Sequence, residues 1–156
     1  MNSNFIISDY IKFEARPEAI PYYYRLSYRI SLTVLIFKLT GGRGGCSLSK
    51  IHLITTSMYS EEEMNNLIKY LEPNQQGLLN LRYDPTVNST IEFMIADQLI
   101  FQQKNGYYRL TKKGATFANK IIENKDLLKY EKEQLNKIST NLSESVMDRI
   151  HNTLMG

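Results

Sequence analysis

The chain has 156 residues, of which 42% are hydrophobic and 22% are charged, and its formal net charge is +3. This composition is enough for one domain core and, with charges of both signs, argues against a wholly disordered chain. The single cysteine, Cys46, excludes an intramolecular disulfide, and the first residues lack the basic start and long apolar run of a secretory leader. We therefore expect a cytoplasmic protein. The mild positive charge permits contacts to nucleic acid but does not require them.

The N-terminal part is predicted to be an arm followed by a helix. Residues 1–21 contain few helix signals, and we interpret them as an arm that forms short strands or becomes ordered on a partner. Apolar residues then recur at helical spacing over 22–39, which predicts the first helix. Its apolar run, 30–39, is far shorter than the roughly 20 residues of a membrane-spanning helix, so we expect no membrane contact. A glycine-rich loop, 41–45, ends this helix.

Three more helices are predicted from capping residues that precede apolar residues at helical spacing. The second begins after Ser47 or Ser49, either of which can accept a hydrogen bond from the first turn. The third begins after Ser60, where the following glutamates fit a capping box. The fourth begins at Asp84-Pro85, because aspartate is a good N-cap and proline is tolerated at the first helical position.

A β-hairpin is predicted at Asn105-Gly106, between two short runs of β-forming residues. This pair favours a type I′ turn, in which both central residues have positive φ. Thr111 is then the expected N-cap of a fifth helix, and Gly114 in its first turn is expected to let that helix approach the hairpin closely. The order helix, hairpin, helix is how a winged helix ends. We therefore predict a mainly α fold with a small β-hairpin, in which a winged helix-turn-helix domain covers 22–123.

The C-terminal region, 124–156, is predicted to be one long helix with a narrow apolar stripe. The stripe resembles a coiled-coil seam, although Glu131 occupies one of the seam positions. It binds a partner or a second copy, or it packs back on its own domain; the sequence leaves these alternatives open. A basic pair on the first helix likewise contacts a partner or covers the edge of the core. The candidate partner-binding residues are Leu135, Ile138, Leu142, Val146 and Ile150 on the stripe, and Arg25 and Arg29 on the first helix.

The sequence does not predict catalysis, a metal site or a cofactor. The two histidines, His52 and His151, lie far apart along the chain, and no group of His, Cys, Asp and Glu has metal-ligand spacing. Cys46 precedes a helix N-terminus, which lowers a thiol pKa, but no base can be assigned to it, so a structural cysteine is favoured. The loop 41–45 lacks the spacing of a P-loop. We expect a protein that is not an enzyme, with no catalytic residues.

A non-specific contact to DNA is the interaction that the charges favour. In a winged helix the helix before the hairpin enters the major groove, but here it carries Glu92 and Asp97 and neither lysine nor arginine. Bidentate readout of guanine is therefore disfavoured. Cations around the hairpin would instead hold phosphates, unless they are simply a solvated surface. The candidate nucleic-acid-binding residues are Lys104, Arg109, Lys112, Lys113, Arg43 and Lys50.

Four segments form a series: YRLSYRI at 24–30, GGCSLSKIHL at 44–53, RYDPTVN at 82–88 and YRLTKKG at 108–114. Over about residues 22–123, this series resembles the small middle-component proteins of ABC three-component systems, including the related Lamassu anti-phage defence systems. The resemblance implies a non-catalytic accessory subunit that binds an SMC/Rad50-like ATPase and bridges it to an effector subunit such as a nuclease. It also implies a non-specific contact to DNA, and it supplies no catalytic residues.

A free-standing transcriptional regulator is the second functional hypothesis. Such a winged-helix protein would dimerise through its last helix and bind an operator as a two-fold dimer. The two hypotheses differ in solution state and in sequence preference. A regulator is a dimer by itself and prefers one site, whereas a subunit requires its ATPase partner and is indifferent to sequence.

Overall fold

The computed structural model describes residues 25–73 and 79–155; the predicted arm, 1–21, lies outside these residues. The described residues form seven helices and a two-stranded antiparallel hairpin, which confirms the mainly α fold with a small hairpin. Among the described helices, none combines the length and apolar character needed to cross a bilayer. The elements are α1 Leu26–Thr40, α2 Leu48–Ser57, α3 Glu61–Tyr70, α4 Pro85–Ala96, β1 Ile100–Gln102, β2 Tyr108–Leu110, α5 Lys112–Glu123, α6 Lys129–Ile138 and α7 Glu144–Met155.

Helix α1 lies in the centre of the core. Residues 30–37 are all buried, because α1 packs against α2, α4, α5, α6 and β2. A helix that is apolar on nearly all sides needs such cover, as its sequence predicts. Two of its buried hydroxyls bond within the helix: the Thr33 hydroxyl donates to the Arg29 carbonyl oxygen at 2.6 Å, and the Thr40 hydroxyl donates to the Ile36 carbonyl oxygen at 2.6 Å.

The predicted capping residues begin four of the helices. In each case a side-chain oxygen accepts a hydrogen bond from a backbone N–H two or three residues later. Each such cap stabilises its helix by about 1 kcal/mol. Between the two serines that the sequence offered for α2, Ser47 is the cap. The capping residues are Ser47, Ser60, Asp84 and Thr111.

The hairpin forms where predicted, but the prediction of a type I′ turn is wrong. Gly106 has φ +90°, whereas Asn105 does not have positive φ. The Gly106 N–H donates to the Gln103 carbonyl oxygen at 3.0 Å, and the Gln103 N–H donates to the Tyr107 carbonyl oxygen at 2.7 Å. This is the longer hairpin loop that ends in a left-handed glycine. The Asn105 Oδ1 accepts a hydrogen bond from the Tyr107 N–H at 2.9 Å, so this asparagine supplies a side-chain turn instead.

The predicted close approach of α5 to the hairpin is confirmed at Gly114. A Cβ on Gly114 would lie 2.0 Å from the Leu99 carbonyl oxygen, just before β1. The Thr111 hydroxyl also donates to the Gln98 carbonyl oxygen at 2.6 Å. The first turn of α5 is therefore fixed against the strand that leaves α4.

The C-terminal region is two helices, so the predicted single long helix is wrong. Helix α6 ends at Ile138, α7 begins at Glu144, and residues 139–143 turn between them. The turn folds the stripe back onto the chain, where α6 contacts α1 and α3, and α7 contacts α2. Val146 is half-buried against the core. The other four stripe residues are buried in it: Leu135, Ile138, Leu142 and Ile150.

Glu131, which interrupts the stripe, is buried beside α1. Its Oε2 accepts a hydrogen bond from the Tyr28 hydroxyl at 2.7 Å. A buried carboxylate needs such a donor, because loss of water is otherwise uncompensated. The glutamate therefore interrupts the heptad pattern because it is a polar core residue. The core of 22–123 consequently extends into the C-terminal region.

Candidate nucleic-acid interface

The glycine-rich loop between α1 and α2 lies against the hairpin. Cys46 and Tyr108 exchange two backbone hydrogen bonds, of 2.9 and 2.8 Å. The Gln103 Nε2 donates to the Gly44 carbonyl oxygen at 2.9 Å. Gly45 has φ +84°, and a Cβ there would lie 2.3 Å from the Tyr108 carbonyl oxygen, so only glycine permits this approach. The loop and the hairpin therefore form one continuous surface.

Exposed cations lie on the elements that meet in this part of the fold. Four exposed residues that are predicted to bind phosphate come from the loop, the hairpin tip, β2 and the first residue of α5. Long cationic side chains in such positions can contact phosphate oxygens without leaving the folded core. These residues are Arg43, Lys104, Arg109 and Lys112.

A shallow groove of about 250 Å³ runs between the end of α1, the glycine-rich loop and the start of α5. Lys38 and Arg109 both line it. Sequence reasoning missed Lys38 because it assigned the whole of 30–39 to the buried helix. The available signal was that Lys38 is the one charged residue in that run. We call Lys38, Arg43, Lys104, Arg109 and Lys112 the basic surface.

Two predicted phosphate-binding lysines do not belong to the basic surface. Lys50 is only 2% exposed, and its Nζ donates to the Thr40 carbonyl oxygen at 2.7 Å. A cation at the C-terminal end of α1 is stabilised by the partial negative charge there. The prediction for Lys50 is therefore contradicted by its burial. Lys113 is exposed, but its Nζ donates to the Asp97 carbonyl oxygen at 2.9 Å and lies 3.3 Å from Asp97 Oδ1.

Helix α4, which precedes the hairpin, offers few groups that could read bases. Ser89 and Glu92 are exposed on it, and Ile95 is 42% exposed. Thr90 is buried, and the Asn88 side chain bonds within the protein. Because α4 has neither lysine nor arginine, bidentate recognition of guanine is not available to it.

A hydrogen-bond network at the start of α4 contains a histidine and an aspartate. The Asp84 backbone N–H donates to His52 Nδ1 at 3.4 Å, and His52 Nε2 lies 3.3 Å from Asn88 Oδ1. Since Nδ1 accepts a backbone N–H, we assign the imidazole proton to Nε2, which donates to Asn88. The Tyr83 ring stacks on the His52 ring with centroids 5.4 Å apart. The Asp84 carboxylate does not orient His52, so the network differs from a catalytic triad.

The Asp84 carboxylate is instead held ionised as the cap of α4. Burial opposes its ionisation, but hydrogen bonds from Tyr59 and Thr86 outweigh burial and keep the pKa of Asp84 below its ordinary value. Burial, and then the hydrogen bond to Asp84, raise the pKa of Tyr59 to about 12. At neutral pH Tyr59 is therefore a donor and Asp84 an acceptor, which stabilises the start of α4.

Cys46 has the properties of a structural cysteine. It is buried, and burial raises the pKa of its thiol to about 11. This shift is opposite to that of a reactive thiol, because the thiolate is the nucleophile. Within 25–73 and 79–155, no group of three or more His, Cys, Asp and Glu side chains is arranged to hold a metal ion.

The two arginines predicted to bind a partner lie at the edge of the core. Both are half-buried on α1 or at its start. The Arg29 Nη1 donates to the Thr86 carbonyl oxygen at 3.3 Å, which links α1 to the start of α4. This position of Arg29 favours the alternative that the sequence left open, in which the long side chain covers the edge of the core. Arg25 lies at the N-cap position of α1.

Comparisons with known proteins give no significant match to a family model, a curated protein or a solved structure. The basic surface and the fold that presents it are therefore the basis for a functional proposal.

Proposed function

We propose that this chain is a non-catalytic subunit that holds the phosphate backbone of DNA on the basic surface. The observation that carries this proposal is that four adjoining elements each expose a cation, next to a groove lined by Lys38 and Arg109. Cations on flexible side chains contribute affinity through phosphates and carry no sequence information. The composition of α4 agrees with binding of this kind, because it lacks the side chains that read guanine.

We further propose that its partners are an SMC/Rad50-like ATPase and an effector subunit of a bacterial anti-phage complex in the cytoplasm. The support for this part is the resemblance of the four sequence segments in 24–114 to middle-component proteins. Binding without sequence preference suits a subunit of a machine that acts on DNA of any sequence. In this proposal the chain bridges the effector to the ATPase.

The regulator hypothesis has less support. Its dimer was to form through the apolar stripe of the last helix, but Leu135, Ile138, Leu142 and Ile150 are buried within the chain. An operator-specific protein also needs base-reading side chains, and α4 supplies neither lysine nor arginine.

The DNA part is tested by fluorescence anisotropy of a labelled duplex of arbitrary sequence, titrated with the protein at several salt concentrations. The variant combines Arg43→Gln, Lys104→Gln, Arg109→Gln and Lys112→Gln. We expect its affinity to fall and the slope of log K against log salt to decrease by about 0.9 for each phosphate that the variant no longer neutralises. The wild type is expected to bind duplexes of unrelated sequence equally.

A matched control removes the same charge from other elements. Lys69, Lys125, Lys129 and Lys137 are exposed and lie outside the loop, the hairpin and α5. Changing all four to glutamine alters the net charge equally, so a general charge effect would weaken DNA binding by the same amount. Equal losses of affinity in the two variants, or a salt slope unchanged by the first, would refute the assignment of the basic surface.

The partner part is tested by affinity purification of the tagged full chain from its native host, followed by mass spectrometry. We expect stoichiometric recovery of a large ATPase with coiled-coil segments. Recovery of the chain by itself as a dimer would overturn this part and favour the regulator. The DNA measurement uses purified protein, so the two parts fail independently.

A further inference from the structure

One edge of β1 has no strand beside it among the described residues. The Thr111 N–H donates to the Leu99 carbonyl oxygen, and the Gln103 N–H donates to the Tyr107 carbonyl oxygen. Because bonded pairs alternate in an antiparallel ladder, Phe101 is the β1 residue that bonds to β2, through Arg109. The backbone N–H and C=O of Gln102 therefore point away from β2. β2 differs, because the outward groups of its first residue bond to Cys46.

An apolar groove follows this edge. It has a volume of about 570 Å³ and is lined by residues from the end of α4, from β1 and from the start of α5. Two large apolar side chains are unusually exposed in it, Ile95 at 42% and Phe101 at 45%. An unpaired strand edge beside exposed apolar side chains is the arrangement that accepts an added strand: backbone bonds give affinity, and the groove receives alternate side chains.

The charged residues around the groove indicate which net charge the added strand should carry. Lys112 lines the groove and is exposed, and Lys104 is exposed two positions beyond the end of β1. The carboxylate of Asp97, at the end of α4, forms an ion pair with Lys113, so its negative charge is balanced within the protein. A second copy of this chain would bring the same lysines together, which repels. An acidic segment is attracted instead.

We propose that the β1 edge is a docking site for an extended acidic peptide segment of a partner protein, which adds as a strand to the hairpin. Valine-like or isoleucine-like side chains in the middle of the segment pack on Ile95 and Phe101, and carboxylates at its two ends lie near Lys112 and Lys104. The β1 edge lies apart from the groove lined by Lys38 and Arg109, but the acidic segment and the proposed DNA contact share Lys104 and Lys112. The peptide is titrated in the absence of DNA, so the two proposals fail independently.

The probe is a short fluorescein-labelled peptide in which central valines are flanked at both ends by glutamates. It is titrated with the full chain and followed by fluorescence anisotropy. Two peptides of the same length are controls: one has lysine in place of glutamate, and one has every backbone amide N-methylated, so that neither of its edges can donate to β1. We expect saturable binding of the glutamate peptide and at least about tenfold weaker binding of both controls, which corresponds to about 1.4 kcal/mol.

The variant on the protein side is Gln102→Pro. Proline is tolerated in an edge strand where the N–H faces outward, so the change removes one outward donor and leaves the bonds between β1 and β2 in place. Gln102→Ala is the matched control, because it removes the same side chain and keeps the N–H. We expect the proline variant to bind the peptide at least about tenfold more weakly and the alanine variant to bind within about twofold of wild type.

Three outcomes would overturn the proposal. They are the lack of saturable binding by the glutamate peptide, equal binding of the N-methylated peptide, and equal binding by a Gln102→Pro variant whose thermal unfolding matches wild type. A single-stranded oligonucleotide is titrated in parallel. If it binds and its binding is abolished in Gln102→Pro while the peptide does not bind, the edge belongs to nucleic acid, and the peptide proposal is wrong.

Discussion

The hairpin region and the C-terminal helices contain the two sets of residues that the sequence offers to partners, and the fold places them in opposite environments. Arg43, Lys104, Arg109 and Lys112 remain exposed around the hairpin, whereas Leu135, Ile138, Leu142 and Ile150 are buried in the core. A charged side chain stays in water unless a partner compensates its burial. An apolar stripe requires cover, but its pattern does not say whether that cover is another protein or the same chain.

Replacement of a stripe residue should give the largest effect on stability. Leu135→Ala removes apolar packing from a fully buried position, so we expect the free energy of unfolding to fall by about 2–5 kcal/mol. Urea denaturation followed by circular dichroism measures it. Val146→Ala, at a half-buried position, should cost about 1 kcal/mol or less. If both changes lowered the free energy of unfolding by only about 1 kcal/mol, the stripe would be exposed to solvent. The contrast between a buried stripe and exposed cations would then be wrong.

Lys50 and Lys112 sharpen the comparison, because both are basic and only one is buried. Lys50→Met leaves the Thr40 carbonyl oxygen without its donor, so we expect a loss of about 1.5–3 kcal/mol in unfolding free energy and unchanged DNA affinity. Lys112→Met should change stability by no more than about 0.5 kcal/mol while it weakens DNA binding. Chemical denaturation and anisotropy titration on the same two proteins measure both effects. Weaker DNA binding by a folded Lys50→Met variant would restore Lys50 to the basic surface.

The bond between α1 and α6 is the next test. Tyr28→Phe removes the hydroxyl that donates to buried Glu131, so we expect the free energy of unfolding to fall by about 1–3 kcal/mol. Glu131→Gln keeps an acceptor oxygen for Tyr28 and should cost less. A urea unfolding series on Tyr28→Phe, Glu131→Leu and their combination measures the coupling, because each of these single changes removes the bond. Strictly additive losses of stability would show that the two side chains act separately.

The smallest expected effect is a gain in stability beside the hairpin. Gln98 has φ +61° at the end of α4, where a Cβ is unfavourable. Gln98→Gly should therefore raise the free energy of unfolding by up to about 1 kcal/mol, which a urea midpoint shift would report. Gln98→Ala retains the Cβ and should give no such gain. A destabilised glycine variant would mean that contacts of the Gln98 side chain stabilise the fold by more than its left-handed backbone destabilises it.

Local signals in the sequence predicted the helix starts and the hairpin well. Ser60, Asp84 and Thr111 cap the helices that they were expected to cap, because each cap is a contact between residues two or three positions apart. The turn type at Asn105 was missed, because asparagine suits two different turns, either through left-handed backbone or through its side chain. The hairpin was therefore predictable, but its detailed geometry was not.

The candidate site was predicted only in part, because sequence signals reveal groupings of residues that are close together in the chain. Lys104, Arg109 and Lys112 lie within one short segment, so their grouping was visible in the sequence. Lys38 and the exposed strand edge were missed, because each depends on which distant residues lie beside it. The prediction for Lys50 was wrong because the residues next to it in the sequence do not show that its Nζ reaches the Thr40 carbonyl oxygen at the end of α1.

The sequence by itself determined where most helices begin, that α1 is buried, and that a small hairpin precedes α5. These follow from capping, apolar spacing and turn residues, which act over a few positions of the chain. Only the tertiary structure decided that the C-terminal region folds back as two helices, that Glu131 is a core residue, and that the loop 41–45 joins the hairpin in one surface. Those features depend on contacts between residues far apart in the chain, whose formation reflects the packing of the whole core.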